Sequence, residues 1–516
     1  MTAVETATKS AERHAPSRRW AGLAVLAGSL LVVAMDMTIL NVALPSIGES
    51  LRPSANQTLW IIDVYSLVLA GLLVTVSALG DRWGRRSMLI GGFTIFGLAS
   101  AGALVVDSPA ALIALRALLG VGGAMIMPST LSMVRVLFTD PRERATALAV
   151  WGSMAAVGAA VGPIVGGLLL EHFSWHVAFL VNVPVMVAAI AGAFLLLPSS
   201  RSDKPAPLDL VATAQSMVGM VALIYGIKQV AKHGIDLPGV VALVLAVVAL
   251  TMFVRRCLRA ERPILQVRLF RYRGFTAGTV TALGSTMALV AVVLLGAQWL
   301  QLVDGRSPLE AGIALLPLAI GGLVGALSGP AIAARVGMRL PLAGGLVLAA
   351  LGYLVLYAAP DPLSYGALAA GTALIGVGEM SLAVGSAAIM ASAPAHEAGS
   401  AAAVEESSYE IGATLGVAVL GSVAAAVYRD ELSPSRLAEL GVPSGTAAAA
   451  RESLASATEL APQLGDGGHA FLIDAQTAFT DSLTTTSLWA AVVMGATAAL
   501  VWWLTPRDLQ VTDGHH

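Results

Sequence analysis

The sequence predicts an all-α, polytopic membrane protein, and two properties of the chain carry that prediction. Apolar residues make up 57% of the 516 residues and charged residues only 12%, with a mean hydropathy of +0.80. Ordinary soluble domains carry about 25% charged residues, so a soluble fold could not bury this much hydrocarbon. The apolar residues also fall into long separate runs, each about as long as an α-helix that crosses a bilayer.

Fourteen such runs can be counted if one span takes about 20 mostly apolar residues, and we number them span 1 to span 14. The first run is longer than a signal-peptide core and lacks a clear cleavage site, so we expect it to remain as a span. The spans lie near residues 21–47, 58–79, 88–106, 110–136, 145–170, 176–198, 208–230, 237–256, 275–302, 310–334, 340–359, 364–391, 399–427 and 486–504.

The basic residues predict the orientation of the spans, because arginine and lysine favour short cytoplasmic loops. With the N-terminus inside, the inner loops carry about three times as many basic residues as the outer side. Arg52, Lys228, Lys232 and Arg306 are among the outer exceptions. We therefore expect a bacterial cytoplasmic membrane protein with both terminal tails, residues 1–20 and 505–516, in the cytoplasm.

A long polar segment, residues 428–485, separates spans 13 and 14 and should lie on the outer side. Its content of alanine, glycine, serine and proline favours a solvated connector with short helical stretches. A partial lid over the outer opening is the alternative interpretation.

An internal repeat divides the spans into two halves. Arg-x-Gly-x-Arg occurs at Arg82 and again at Arg335, an offset of 253, and Gly-x-x-x-Gly occurs at Gly158 and again at Gly412, an offset of 254. The agreement predicts two six-helix halves with spans 7 and 8 inserted between them, an arrangement that places a substrate site between the halves near the midplane. The predicted units are residues 21–198, 208–256 and 275–504.

The composition excludes several classes of function. A net charge of −2 without a basic tract leaves no footprint for nucleic acid. The single cysteine, Cys257, excludes an internal disulfide and a cysteine-built metal site. The eight histidines lie mostly in loops and tails, and no Ser/His/Asp cluster is evident. We expect no enzyme activity, no cofactor and no metal, and a monomer in the lipid bilayer.

Two glycine-containing motifs resemble hallmarks of the major facilitator superfamily. The first follows span 2, with Ser77 where the family has its leading glycine. Because glycines allow a tight turn and an aspartate can cap a helix and pair with arginine, this resemblance implies a latch for one conformation. The first motif comprises Gly80, Asp81, Arg82, Gly84, Arg85 and Arg86.

The second motif lies in span 5 and resembles the antiporter motif of the same superfamily. Small residues four positions apart let a facing helix approach closely, and a proline removes one backbone hydrogen bond and creates a bendable point. The resemblance implies export. The second motif comprises Gly158, Gly162, Pro163, Gly166 and Gly167.

An arginine and six acids inside the predicted spans are the candidate functional residues, because charge there is costly and usually functional. Arg116 in span 4 can stabilise a nearby carboxylate and so control its proton. Two of the acids, Glu406 and Glu410, share a helix face. These carboxyls should face the interior, bind a proton or meet a cation. The six acids are Asp36, Asp63, Glu379, Glu405, Glu406 and Glu410.

The sequence around these acids is similar to the QacA-like, fourteen-span drug:proton antiporters of the major facilitator superfamily. The similarity runs along essentially the whole chain, with the strings at residues 35–45, 60–67 and 405–412. It implies proton-coupled export of lipophilic, mostly cationic drugs, antiseptics and dyes, quaternary ammonium compounds among them. It assigns protonation to Asp36 and Glu410, and cation recognition to Asp63, Glu405 and Glu406; we add Glu379 to the second group and Arg116 to the first.

Other functions remain open at this stage. The same scaffold can export a natural product, lipid or siderophore made by the cell, since a fold does not fix a substrate. A membrane sensor or membrane enzyme is a further alternative, and transport by the purified protein in proteoliposomes would separate the classes.

Overall fold

The computed structural model describes residues 16–200, 209–394, 397–439, 442–443, 447 and 449–506. In this part of the chain the regular structure is helical, and no strand is present. The long helices, numbered in chain order, are α1 (Pro16–Leu51), α2 (Ala55–Trp83), α3 (Arg85–Gly102), α4 (Pro109–Leu137), α5 (Pro141–His172), α6 (His176–Leu196), α7 (Leu210–His233), α8 (Leu237–Arg259), α9 (Arg273–Leu302), α10 (Leu309–Val336), α11 (Arg339–Tyr357), α12 (Tyr365–Ser392), α13 (Ala398–Glu431) and α14 (Gly468–Leu504).

The helices confirm an all-α polytopic membrane protein. Over the described residues, thirteen of them are long and apolar enough to cross a membrane. The remaining one is α5, a helix of 32 residues that contains the apolar stretch Val161–His172. The count of fourteen spans therefore stays a prediction at α5.

One end of the bundle collects arginines, and we call it the arginine-rich face. Arg86 donates to the carbonyl of Phe194 at 2.8 Å, Arg273 to that of Leu504 at 3.0 Å, and Arg339 to that of Trp502 at 2.9 Å. The helix ends predicted to share one side of the membrane therefore lie together. The predicted cytoplasmic residues 1–15, Arg201, Lys204 and residues 507–516 lie outside the described residues.

The two predicted halves contain the same helix contact. In the first half α5 packs on α1, and a Cβ at Gly158 would overlap the backbone oxygen of Leu31. In the second half α13 packs on α9, and a Cβ at Gly412 would overlap the backbone oxygen of Leu283. Glycine permits this approach because it has no side chain.

The helix after this contact is irregular in both halves, by different means. Pro163 lies inside α5 and removes one backbone hydrogen bond there. At the matching place in α13 a π-helical turn spans Gly416–Leu420. Single π turns and prolines both interrupt the backbone hydrogen bonds of a helix and mark points of bending. Each half therefore has such an interruption close to its glycine contact.

The inserted helices α7 and α8 form an antiparallel pair beside the first half. Gly219 and Gly226 of α7 face Leu250 and Leu243 of α8, and α7 also packs on α2. At the arginine-rich end, the Arg256 guanidinium donates to Asp209 at 2.5 Å, and this hydrogen bond lowers the pKa of the Asp209 carboxyl.

The segment between α13 and α14 differs from the expected solvated connector. It contains the short helices Pro434–Glu439 and Leu454–Leu460, with buried apolar side chains at Leu437 and Leu454. Arg436 pairs with Asp474 of α14 at 2.7 Å. Helix α14 begins at Gly468, well before the predicted position 486, so part of the expected loop is helix. The segment packs on the second half as a folded cap.

We expect Gly158→Ala to lower both thermal stability and transport, because its methyl group would overlap the α1 backbone at Leu31, and such overpacking typically costs about 1–3 kcal/mol. Gly152→Ala, in the same helix but outside the motif, is the matched control. Among the described residues, a Cβ built at Gly152 meets no atom within 4 Å beyond its own helix backbone and chain neighbours. Thermal unfolding of purified variants measures the difference, and equal loss in both variants would contradict the close-contact explanation.

Candidate functional site

An ion pair lies buried at the centre of the first half. Asp36 of α1 and Arg116 of α4 are 0% and 2% exposed, and the Arg116 Nη1 donates to Asp36 Oδ2 at 2.8 Å. Arg116 Nε also donates to the carbonyl of Ile61, and its guanidinium lies 4.6 Å from the centre of the Tyr65 ring. The two residues predicted to control the proton are therefore in direct contact and buried within the protein.

Asn182 of α6 completes this network and was missed by the sequence analysis. Its Nδ2 donates to Asp36 Oδ1 at 2.8 Å and to Ser100 Oγ at 3.1 Å. Both Asp36 oxygens thus accept a hydrogen bond. The signal available in the sequence was an asparagine inside an apolar span, where unpaired amide groups are costly.

The second predicted acid of the first half, Asp63 of α2, does not join that network. Its Oδ1 accepts from Lys228 Nζ at 2.5 Å, and the two side chains are 28% and 31% exposed. The prediction that Lys228 lies on the outer side of the membrane is wrong. Lys228 lies within α7, inside the apolar stretch Leu210–Ala231, and its ammonium is directed to an acid of the neighbouring helix.

Four acids gather in the second half. Glu405 and Glu406 are 0% exposed and Glu410 is 8% exposed, all on α13, while Glu379 lies at a turn within α12. Glu405 Oε1 accepts from the Tyr409 hydroxyl at 2.8 Å. Among the described residues, neither carboxylate oxygen of Glu406 or of Glu379 has a hydrogen-bond partner.

Tyrosines bring these groups into electrostatic contact. Tyr65 of α2 is close enough to Asp36 and to Glu410 for their charges to act on its hydroxyl, which connects the acids of the two halves. Tyr409 is similarly close to Glu405, Glu406 and Glu379. The predicted acids therefore occupy three places: Asp36 in its buried network, Asp63 beside Lys228, and the four acids of α12 and α13 in the second half.

The loop motif joins the two halves at the arginine-rich face. Ser77 Oγ donates to the carbonyl of Gly399 of α13 at 2.6 Å, and a Cβ at Gly399 would lie 2.6 Å from Asp81 Oδ2. Arg85 donates to Asp81 at 3.0 Å. The Asp81 carboxylate thus lies beside the first residues of α13, where the partial positive charge of a helix N-terminus favours an anion.

The other residues of the loop support the same contact. Gly84 has a φ of 101°, which only glycine adopts easily, and it separates α2 from α3. Arg135 at the end of α4 donates to the carbonyl of Ala393 at 2.5 Å, across the two halves. Arg82 is exposed. The halves are therefore hydrogen-bonded together at this face.

Charge and burial define what the site can do. A carboxyl that is buried without a partner favours a bound proton or a bound cation, because its ionised form is costly at membrane depth. The second half has such carboxyls at Glu379 and Glu406, whereas the Asp36 charge is already compensated by Arg116. Asp63 is compensated by a lysine at a partly exposed position.

We expect Asn182→Leu to lower stability by about 1.5–3 kcal/mol and to impair transport, because the buried Asp36 carboxylate loses one hydrogen-bond donor. Ser100→Ala is the milder control, since the bond between Asn182 and Asp36 remains. Thermal unfolding and resistance assays with both variants test this ranking. An effect of Ser100→Ala as large as that of Asn182→Leu would contradict it.

Comparison with known proteins agrees with this arrangement. A family model described as Major Facilitator Superfamily matches residues 26–428. The multidrug efflux pump LfrA of Mycolicibacterium smegmatis is 40% identical over 490 residues, which cover 94% of this chain and 96% of that protein. The methyl viologen resistance protein SmvA of Salmonella typhimurium is 37% identical, with 87% and 90% covered.

Among solved structures, the human organic anion transporter MFSD10 has a TM-score of 0.59 at 16% identity, covering 93% of this chain and 100% of that chain. This likeness concerns the fold alone. The family match and the long relatives establish the rest: the chain belongs to the major facilitator superfamily and is a transporter of the multidrug efflux type.

Proposed function

We propose that the protein exports lipophilic cations across the bacterial cytoplasmic membrane in exchange for protons, as a monomer with both termini in the cytoplasm. The observation that carries the proposal is the set of buried acids on both sides of the contact between the halves. The names of its relatives support drug efflux: LfrA is a multidrug efflux pump, and SmvA confers resistance to methyl viologen, itself a cation.

Competition between protons and cations provides the coupling in this proposal. A carboxyl such as Glu406 binds either a proton or a cation, because either removes the penalty of a buried negative charge. Entry of a cation beside Asp63 then releases protons from the α13 acids, and protonation of those acids from the outer side releases the cation. A ligand shifts the conformation by as much as its affinities for the two states differ.

Asp36 has a separate role in the proposal. Its two oxygens each accept a hydrogen bond, from Arg116 and from Asn182, and the side chain is 0% exposed, so it is not open to a substrate in this conformation. A proton on Asp36 would weaken its attraction to Arg116 and alter the packing of α1 against α4. We therefore assign it to proton coupling and Asp63 to cation recognition.

The experiment is to add tetraphenylphosphonium to the purified protein in weakly buffered solution and record proton release. We expect release from the wild type, strong reduction in Asp36→Asn, and weakened cation binding in Asp63→Asn. The matched control is Glu171→Gln, which removes an exposed acid at the end of α5. Absence of release from the wild type, or undiminished release from Asp36→Asn, would count against the proposal.

The same preparation gives a pH dependence. Because protons compete with the cation for the same carboxyls, we expect the apparent affinity for tetraphenylphosphonium to fall as the pH is lowered. Equilibrium binding at several pH values measures it, and an affinity that does not change with pH would contradict direct competition.

A further inference from the structure

Among the described residues, Lys228 is the one basic residue that forms an ion pair with an acid predicted to recognise cations. Its Nζ lies 2.5 Å from Asp63 Oδ1. The lysine belongs to the inserted helix α7, outside both six-helix halves, so the inserted pair contributes a charged group to the candidate site.

The packing fixes where this ion pair lies. Leu67 and Ala70 of α2 form a small apolar cluster with Met220 and Ile224 of α7, and Ile411 of α13 packs against it. Helices α2, α7 and α13 therefore meet one to two turns from Asp63. Lys228 is also within electrostatic range of Glu410 of α13, an acid of the other half.

The Asp63–Lys228 pair differs from the Asp36–Arg116 pair in the property that decides whether a ligand can replace it. The side chains of Asp36 and Arg116 are buried, with 0% and 2% of their surface exposed. Separating them would leave two uncompensated buried charges. Asp63 and Lys228 are 28% and 31% exposed, and partly exposed pairs contribute little. Lysine also carries its charge on a flexible stem that can swing away.

We propose that Lys228 is a built-in competitor: its ammonium occupies the cation position at Asp63 until a substrate cation displaces it. This inference rests on the proposed function, because it assumes that Asp63 recognises cations. A lipophilic cation gains apolar burial as it displaces the lysine, whereas a small hydrated cation gains none. Lys228 therefore sets a threshold that selects lipophilic cations over inorganic ones.

The test is equilibrium binding of tetraphenylphosphonium to the purified full-length protein at about pH 8, where an exposed carboxyl is ionised. Removal of a partly exposed competitor should tighten binding by about twofold to fivefold in Lys228→Met. Lys228→Arg keeps the competing charge and should stay near the wild type. Lys232→Met removes the same charge one turn later in the sequence and serves as the matched control.

A double-mutant cycle isolates the pair. In Asp63→Asn the competitor has no acid to occupy, so adding Lys228→Met should give no further gain. Thermal unfolding checks that each variant is folded, and Lys228→Gln replaces Lys228→Met if the latter is unstable. Unchanged or weaker binding in both neutral variants, with Asp63-dependent binding intact in the wild type, would overturn the inference.

Failure of the underlying function gives a different result. If the wild-type protein does not bind tetraphenylphosphonium, or binds it equally well after Asp63→Asn, then Asp63 is not a cation site and the proposed function is contradicted first. The role of Lys228 as a competitor is then also excluded, because there is no bound cation to displace.

Discussion

The constraint on which the rest of this structure depends is that an ionised side chain at membrane depth needs a compensating charge or a proton. Each acid inside the bundle meets the constraint differently. Asp36 has Arg116 and Asn182, Asp63 has Lys228, and Glu406 has no hydrogen-bond partner among the described residues. This order, from fully compensated to uncompensated, separates acids that hold the structure from acids that are available to a ligand.

The backbone contacts follow from the need to bring these acids together. Helices α1 and α5, and likewise α9 and α13, approach closely enough that glycine is required at Gly158 and Gly412. Without a hydrophobic driving force inside the bilayer, such close packing is what holds helices together. The same positions precede Pro163 and the π turn at Gly416–Leu420, so a close helix contact in each half lies beside an interruption of the helical hydrogen bonds.

Much of the fold could be predicted from the sequence because apolar runs and arginine placement report directly on the bilayer. The repeat of Gly158 at Gly412 also has a visible counterpart in the structure. The lengths of helices outside the apolar core were harder to predict from the sequence. Helix α14 begins at Gly468, in a stretch whose mixed composition resembles a loop. Its first turns pack against the folded segment before it, and Arg436 pairs with Asp474 there; tertiary contacts of this kind leave no local pattern.

The acids of the site were visible as charges in apolar spans, but their partners were not. A single sequence does not show that Asn182 reaches Asp36, because the two residues are 146 positions apart and only the packing of α6 on α1 brings them together. Lys228 was misplaced for a related reason. It lies in the last turns of an apolar run, where a lysine is normally interpreted as reaching the membrane surface, and only the neighbouring helix α2 reveals its acid.

The position of Lys228 gives the inserted helices α7 and α8 a role in the candidate site as well as in packing at the edge of the bundle. The six-helix halves supply the acids, but among the described residues neither half supplies a basic group to Asp63. Helix α7 packs on α2 through Val221 against Gly71 and carries the lysine to the acid. In the proposed function, this lysine occupies the cation position at Asp63 until a substrate arrives, so the strength of one ion pair sets which cations are accepted.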